Sequence, residues 1–254
     1  MIYVYAILAG PLEADLRGIN GARVRWVTDE PLAAAVSDVP ADEFDEEPLN
    51  VNVRNMAWLG PRAIAHQDVN ARLFELSDAL VPLAFGTVFR DENGVRQLLS
   101  NQSSGLLSRL EEVRGCSEWV VTLHLLRELN PDDLAAASPL VRNLRSEIAA
   151  SAPGRAHLMR QRLHTLEREE AKRLQSDAAS SVVDALRRVA VDVYREPLPS
   201  DMADKPLARA SVLVRRDAEP EFTSEVERLQ RRWPEPTYRV LLTGPWPPYR
   251  FGGL

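Results

Sequence analysis

The chain of 254 residues carries 31 basic and 37 acidic side chains for a formal net charge of −6, and is 45% hydrophobic and 27% charged. That much apolar material supports a core and excludes wholesale disorder; at about 100–200 residues per domain the length predicts two domains. Its longest uninterrupted apolar run, IYVYAILA with the preceding Met1, is nine residues against the ~20 of a bilayer crossing, so no membrane insertion is expected.

The same run lacks the basic lead-in and small-residue cleavage site of a secretory signal. The single cysteine, Cys116, cannot form an internal disulfide. Together these features predict a cytoplasmic protein. Residues 1–114 hold 10 basic and 17 acidic side chains, and 115–254 hold 21 and 20. Neither segment has the positive excess that counterion release on nucleic acid demands, so no nucleic-acid partner is expected.

Residues 2–9 are apolar on both alternating faces, the pattern of a strand inside a sheet, and Gly10-Pro11 ends them. A second strand is predicted over 22–28, with Ala22, Val24, Trp26 and Thr28 on one face and arginines on a solvated one. Asp29-Glu30-Pro31 turns the chain into a third strand over 32–38. The carboxylates of 41–50 repel one another and predict an exposed loop around Phe44. From about residue 54 the period is helical: Pro61 suits a first turn, Val69, Leu73, Leu76 and Leu80 form a stripe, and Pro82 stops it. LAFGTVF at 83–89 predicts a strand. Asp91 caps a further helix with Val95, Leu98, Leu99, Leu106, Leu107 and Leu110 inward, in which Gly105 is a candidate break.

The second half begins with a strand over 117–126 and a Pro-Asp-Asp loop at 131–133. Helical pattern starts near Ala135 or Pro139, breaks at Pro153-Gly154 and runs on to about Val191, with Met159, Leu163, Leu166, Leu174, Ala178, Val182, Leu186 and Val189 on one stripe. Glu169–Arg173 and Asp184–Arg188 are expected ion pairs on its wet face. A strand at 192–195, a proline-rich polar loop, a strand at 208–215, a helix at 221–232 carrying Phe222, Val226 and Leu229 inward, and a strand at 237–243 complete the order. The expectation is an α+β protein of two domains, 1–114 and 115–254, built from antiparallel sheets with helices. The second domain is expected to be ferredoxin-like (β-α-β-β-α-β) with a long helix.

Chemistry is sparse. The glycine-rich nucleotide motifs, the nucleophile elbow and any cysteine pair that could start a zinc site are absent from the sequence. His66 lies on the buried stripe before Val69 and Leu73, where it reads either as a general base in a cleft or, the favoured reading, as a core histidine bonded to a backbone carbonyl. His157 and His164 lie seven apart on a helix face with Glu167 beyond; ligands three or four apart are the usual helical arrangement, so this reads as a solvated face. His124 faces one side of a strand alone. Cys116 has no base near it in sequence and reads as inert. Glu111-Glu112 and Asp132-Asp133 are adjacent pairs, which on a helix do not share a face. No catalytic, cofactor or metal site follows.

The terminal TGPWPPYRFGGL interleaves three prolines with Trp246, Tyr249 and Phe251. Proline is expected to keep it extended and out of regular structure. A segment this aromatic either straps across its own sheet or packs at an interdomain groove or on a partner, which makes Trp246, Pro247, Pro248, Tyr249 and Phe251 the candidate partner-binding residues.

Four stretches, in family order and spread over nearly the whole chain, carry a likeness: YVYAIL at 3–8; HQDVN at 66–70 with its leucine stripe, leading into VPLAFGTVF at 81–89; GCSEWVVTL at 115–123; and TGPWPPYRF at 243–251. On these residues the chain resembles the gas vesicle protein F/L family, accessory proteins of gas vesicle assembly. It departs at Ala84, where the family pattern usually has a basic residue before Phe-Gly-Thr. The resemblance implies a cytoplasmic, non-enzymatic, two-domain α+β protein without a cofactor. It also implies action with the gas vesicle shell structural protein, a small hydrophobic subunit, and with other gas vesicle accessory proteins during nucleation or formation of the vesicle. A minor structural component retained in the finished vesicle, or a cytoplasmic enzyme using a cleft near His66, are the alternatives.

Overall fold

A computed structural model describes residues 1–198 and 206–253. The chain divides into two compact units: Met1–Trp119 with Leu213–Arg216 and the residues from Gly244 on, and Val120–Val212 with Asp217–Thr243. Set against the expected segments 1–114 and 115–254, the aromatic tail falls within the first unit, because its hydrogen bonds go to residues of that unit.

The first unit is built on β1 (Ile2–Leu8), buried along its whole length. It pairs antiparallel with β3 (Leu32–Asp38), which pairs in turn with β2 (Arg25–Asp29). Its other edge pairs antiparallel with two very short strands, β4 (Val81–Pro82) and β5 (Val88–Phe89). The expected strand over 83–89 is therefore broken. Gly86 at φ +88° lets Ala84–Thr87 arch away, a backbone state that glycine reaches without steric cost, while Leu83 N–H and Thr87 C=O stay bonded to β1.

Pairing of β1 with β3 slips between Val4 and Ala6, leaving Tyr5 as the extra residue of a bulge. Alternation is interrupted there, so Tyr3, Tyr5, Ala6 and Leu8 face one core layer, and Ile2, Val4 and Ile7 the other. Both faces of the sheet are covered. This corrects the solvated side expected for the second strand: Val27 is buried, and Arg25, two residues before it on the same face, is tied to Glu92 and Asp38 rather than left in water.

One layer is closed by α4 (Glu92–Asn101) and α5 (Ser103–Glu112), which contribute Val95, Leu99, Leu106 and Leu110. The break between them falls at Gln102, not at Gly105, and Asp91 caps α4 through Gly94 N–H as expected. The other layer is closed by α1 (Ala41–Phe44), α2 (Glu46–Asn52) and α3 (Met56–Leu76). The acidic stretch is thus two short helices and not a loop. Asp42, Glu43, Glu46 and Glu47 lie in first turns, where the helix dipole favours negative charge, and Phe44 is fully buried between them. Pro61 sits inside α3, beyond its first turn, and the helix stops at Leu76, so Leu80 belongs to the following loop.

In the second unit the strands β6 (Cys116–Leu125), β7 (Asp192–Arg195), β8 (Pro206–Arg215) and β9 (Tyr238–Trp246) form a sheet in the order β7-β8-β6-β9. The unit boundary cuts β6, β8 and β9. Between β6 and β7 come α6 (Pro131–Ala137), α7 (Pro139–Ala150) and the 34-residue α8 (Pro153–Leu186); α9 (Glu219–Arg232) joins β8 to β9. Both sheets are antiparallel, as expected. The proline-rich loop before β8 falls mostly outside the described residues.

The Pro-Asp-Asp segment opens α6 with a capping box between Asn130 and Asp133. On α8, Arg173 pairs with Glu170 and Asp177 instead of Glu169, and Asp184 with Arg187; Arg188 reaches Glu225 on α9. Glu170 is buried, and its hydrogen bonds from Arg173 and Ser138 hold its pKa at about 2. Among the described residues no helix is long and apolar enough to cross a membrane.

At the bulge in β1, Tyr5 Oη takes the Ile19 N–H at 2.9 Å and meets Ser37 Oγ at 2.8 Å. A Cβ on Gly18 would lie 2.0 Å from that oxygen. Gly18→Ala is expected to push Tyr5 off both partners at a cost of about 1–3 kcal/mol, read as a lower urea midpoint with an unchanged m-value.

Candidate functional site

The side chains that α3, β1 and the 83–87 arch bring together form one buried polar chain inside an aromatic cluster. His66 is 5% exposed. Its Nδ1 lies 2.9 Å from Tyr3 Oη and its Nε2 3.0 Å from Asn70 Nδ2. With the amide donating, the ring proton stands on Nδ1 and points to the tyrosine. Tyr3 Oη also accepts the Gly86 N–H at 3.1 Å. Tyr5 stacks on the imidazole at 5.9 Å, and Phe85 and Tyr3 meet it edge-on.

Burial in this surround lowers the His66 pKa to about 4, against the opposing pull of the Leu83 carbonyl, and burial raises that of Tyr3. An imidazole held neutral and packed away from water organises a core. In place of the backbone carbonyl expected of it, its hydrogen-bond partners are the Tyr3 and Asn70 side chains.

The chain of bonds continues to the tail. Asn70 bonds the Tyr249 hydroxyl, which donates to Gln67 Oε1 at 2.9 Å. After β9, Pro247 and Pro248 are buried, and the tail is not extended throughout: a short helix, α10 (Tyr249–Gly252), packs on α5 and β4. Arg250 N–H donates to Glu118 Oε2 at 2.7 Å, and Arg109 donates to the Gly253 carbonyl. A Cβ at Gly252 would stand 3.4 Å from both Leu80 O and Val113 Cγ1, in van der Waals contact with the first unit.

Of the five candidate residues, Pro247 and Pro248 are buried, Tyr249 and Phe251 half-buried, and Trp246 is 40% exposed. The residues that sequence reasoning missed are Gln67, Asn70, Glu118 and Arg216. Arg216 bonds the Phe74 and Ser77 carbonyls at 3.0 and 3.1 Å and lies over the Phe74 ring at 4.3 Å, so it satisfies the C-terminus of α3 from 139 positions away. No local pattern marks such a partner.

Other candidates are scattered. Cys116 is buried with its thiol on the Arg114 carbonyl. His157 and His164 are exposed and His124 half-exposed on its strand. Among the described residues no group of three or more His, Cys, Asp or Glu is placed to hold a metal ion. Two surface hollows, of about 430 Å³ between α7 and α8 and about 270 Å³ beside Gly10 and Asp78, are lined by neither His66 nor Cys116.

All four stretches singled out in the sequence therefore supply partners to this one network: Tyr3, His66 with Asn70, Gly86, Glu118 and Tyr249. A family model described as "Gas vesicle synthesis protein GvpL/GvpF" matches residues 1–252. The chain belongs to the GvpL/GvpF family. Among curated GvpL/GvpF relatives, gas vesicle protein L of Streptomyces sp. (strain CB03234) is 31% identical over 99% of this chain and 92% of its own. Gas vesicle protein F of the same organism is 30% identical over 98% of each. The crystal structure of gas vesicle protein GvpF from Microcystis aeruginosa has the same fold, with a TM-score of 0.72 at 19% identity over 100% of this chain and 99% of that one.

Two consequences follow for stability. Because folding lowers the His66 pKa from 6.5 to about 4, the unfolded chain binds the proton first, and stability falls as pH drops from 6.5 towards 4. The loss reaches up to about 3 kcal/mol, and His66→Gln is expected to remove this component in urea titrations across that window. A chain ending at Trp246 is expected to expose the surface under α10 and to lose on the order of 3 kcal/mol, seen as faster hydrogen exchange in α5 and β4 with α9 unaffected.

Proposed function

We propose that the protein is an accessory factor of gas vesicle assembly that works in the cytoplasm in association with gas vesicles. In this reading it binds the gas vesicle shell structural protein and other accessory proteins, and so assists nucleation or formation of the vesicle. The observation that carries this is the match to the gas vesicle synthesis family along residues 1–252. The function is one of binding, without a catalytic centre or a cofactor. His66, the one histidine in the core, is held neutral by Tyr3 and Asn70 inside an aromatic cluster, with a pKa of about 4, far from the near-neutral value a general base needs.

The physical need is clear. A subunit that builds a water-excluding wall exposes a large apolar face before it is assembled, and such faces aggregate. A helper covers that face reversibly through a groove, a helix surface or a sheet edge. In the tail we assign the contact to Trp246, with Pro247, Pro248, Tyr249 and Phe251 anchoring it. Supporting this, Trp246 is exposed while the residues after it are tied into the first unit.

The test is co-expression with the shell subunit, followed by affinity capture and size-exclusion of the soluble fraction. A co-eluting complex is expected, absent with an unrelated hydrophobic protein. Precipitation of the shell subunit while this protein stays soluble and alone overturns the shell-binding reading.

A further inference from the structure

Two helices of the second unit share a face that stays open to solvent. The hollow of about 430 Å³ between α7 and α8 is lined by four positions of α7 within 140–147 and four of α8 within 162–169. Each set is spaced i, i+3, i+4 and i+7, the single face that a helix turns to a neighbour. Leu144 and Leu166 are half-buried in it, and Leu140 is 61% exposed. Only Ser151 and Ala152 join the two helices, and a connection this short makes them antiparallel neighbours. A helix pair that presents such a face is half of a four-helix bundle.

The charges on that face select its occupant. They are Glu147, Arg162 and Glu169. Among the described residues none of the three makes an ion pair, whereas Arg173, one turn further along α8, is held by Glu170 and Asp177. Arg162 and Glu169 are seven residues apart, about 10 Å along the helix, too far to pair with each other. They are equidistant, though, from a point between Thr165 and Leu166 on the same face. A copy of α8 laid antiparallel across that point sets each Arg162 opposite the other's Glu169, and Leu166 against Leu166. A parallel copy sets arginine against arginine and glutamate against glutamate, which repel. A surface whose residue i meets j while j meets i is what a twofold interface requires. With one cation against two carboxylates, the face has no basic excess to draw it to anionic lipid.

We propose that α7 and α8 form a twofold interface with a second copy of this chain. In it α8 crosses its counterpart antiparallel at Thr165–Leu166, Arg162 of each copy pairs with Glu169 of the other, and Leu140, Leu144 and Leu166 of both copies close the hollow. The dimer goes beyond the assembly reading and does not rest on it.

The test is sedimentation velocity of the full-length protein from about 1 to 200 μM, the range in which a small and partly polar interface associates. A dimer that weakens as salt rises is expected. Arg162→Glu, Glu169→Arg and Leu140→Asp, all at exposed positions, are each expected to weaken it at least tenfold with circular dichroism and Tm unchanged. The two charge reversals complement each other across an antiparallel crossing. An equimolar mixture of Arg162→Glu and Glu169→Arg is therefore expected to recover a heterodimer, and the double variant to recover the homodimer.

A wild type that stays monomeric throughout the range overturns the proposal, and so does a dimer that survives Leu140→Asp, which belongs to another surface. Loss of the dimer with Arg162→Glu but not with Glu169→Arg sets α8 over α7, with Glu147 as the partner of Arg162, and overturns the crossing stated here. Failure of the mixture to recover a heterodimer does the same. A monomeric wild type whose capture of the shell subunit is lost in Leu140→Asp gives the hollow to that subunit instead.

Discussion

Because β1 is buried on both faces, each of its backbone donors and acceptors has to be satisfied within the sheet, and each of its side chains by a layer packed above or below. That constraint orders the rest of the first unit. The strand takes β3 along one edge and splits its other edge between β4 and β5. The bulge at Tyr5 turns both tyrosines to the layer that holds α3. Two hydroxyls are thereby placed in an apolar interior, where an unpaired one costs about 1–3 kcal/mol. Their partners are His66, Gly86 N–H, Ser37 and Ile19 N–H. Each of those four then has little freedom to move or change type.

The tail extends the same logic. Tyr249 joins the network through Asn70 and Gln67, and Glu118 at the start of β6 receives the Arg250 N–H. A proline-rich aromatic segment loses little entropy on docking, so a few hydrogen bonds and two buried prolines hold it. Its consequence is that most of the tail's apolar surface is spent inside the chain, leaving Trp246 outward. The stretches that resemble the gas vesicle family are largely the stretches that build this network, which explains why they stand out together: they share partners.

The acidic side chains of the first unit are concentrated in one stretch of the chain. Five carboxylates between Asp42 and Glu47 sit in or at the start of short helices whose dipoles favour them, and only Glu43 is drawn into an internal pair with Arg62. The apolar turns of α3 follow directly in the chain.

Sequence pattern determined a good deal by itself. It set the α+β class, the strands at 2–9, 32–38, 117–126 and 192–195 to within one residue, the capped helix after Asp91 and the inward face of α9, because burial on a period of 2 or 3.6 is a local property of the chain. It also placed His66 in the core, and its recurring stretches pointed to the family. Where pattern failed, a distant partner had decided: the 83–89 run is bent because Tyr3 claims the Gly86 N–H, and the 41–50 acids form helices because Phe44 is drawn into the aromatic layer. Only tertiary structure decided that the tail belongs with the first unit, that Arg216 caps α3, and that Tyr3, His66, Asn70 and Tyr249 form one chain of bonds. Those are contacts between residues as many as 182 positions apart, and no local periodicity encodes which far segment supplies a buried group with its hydrogen bond.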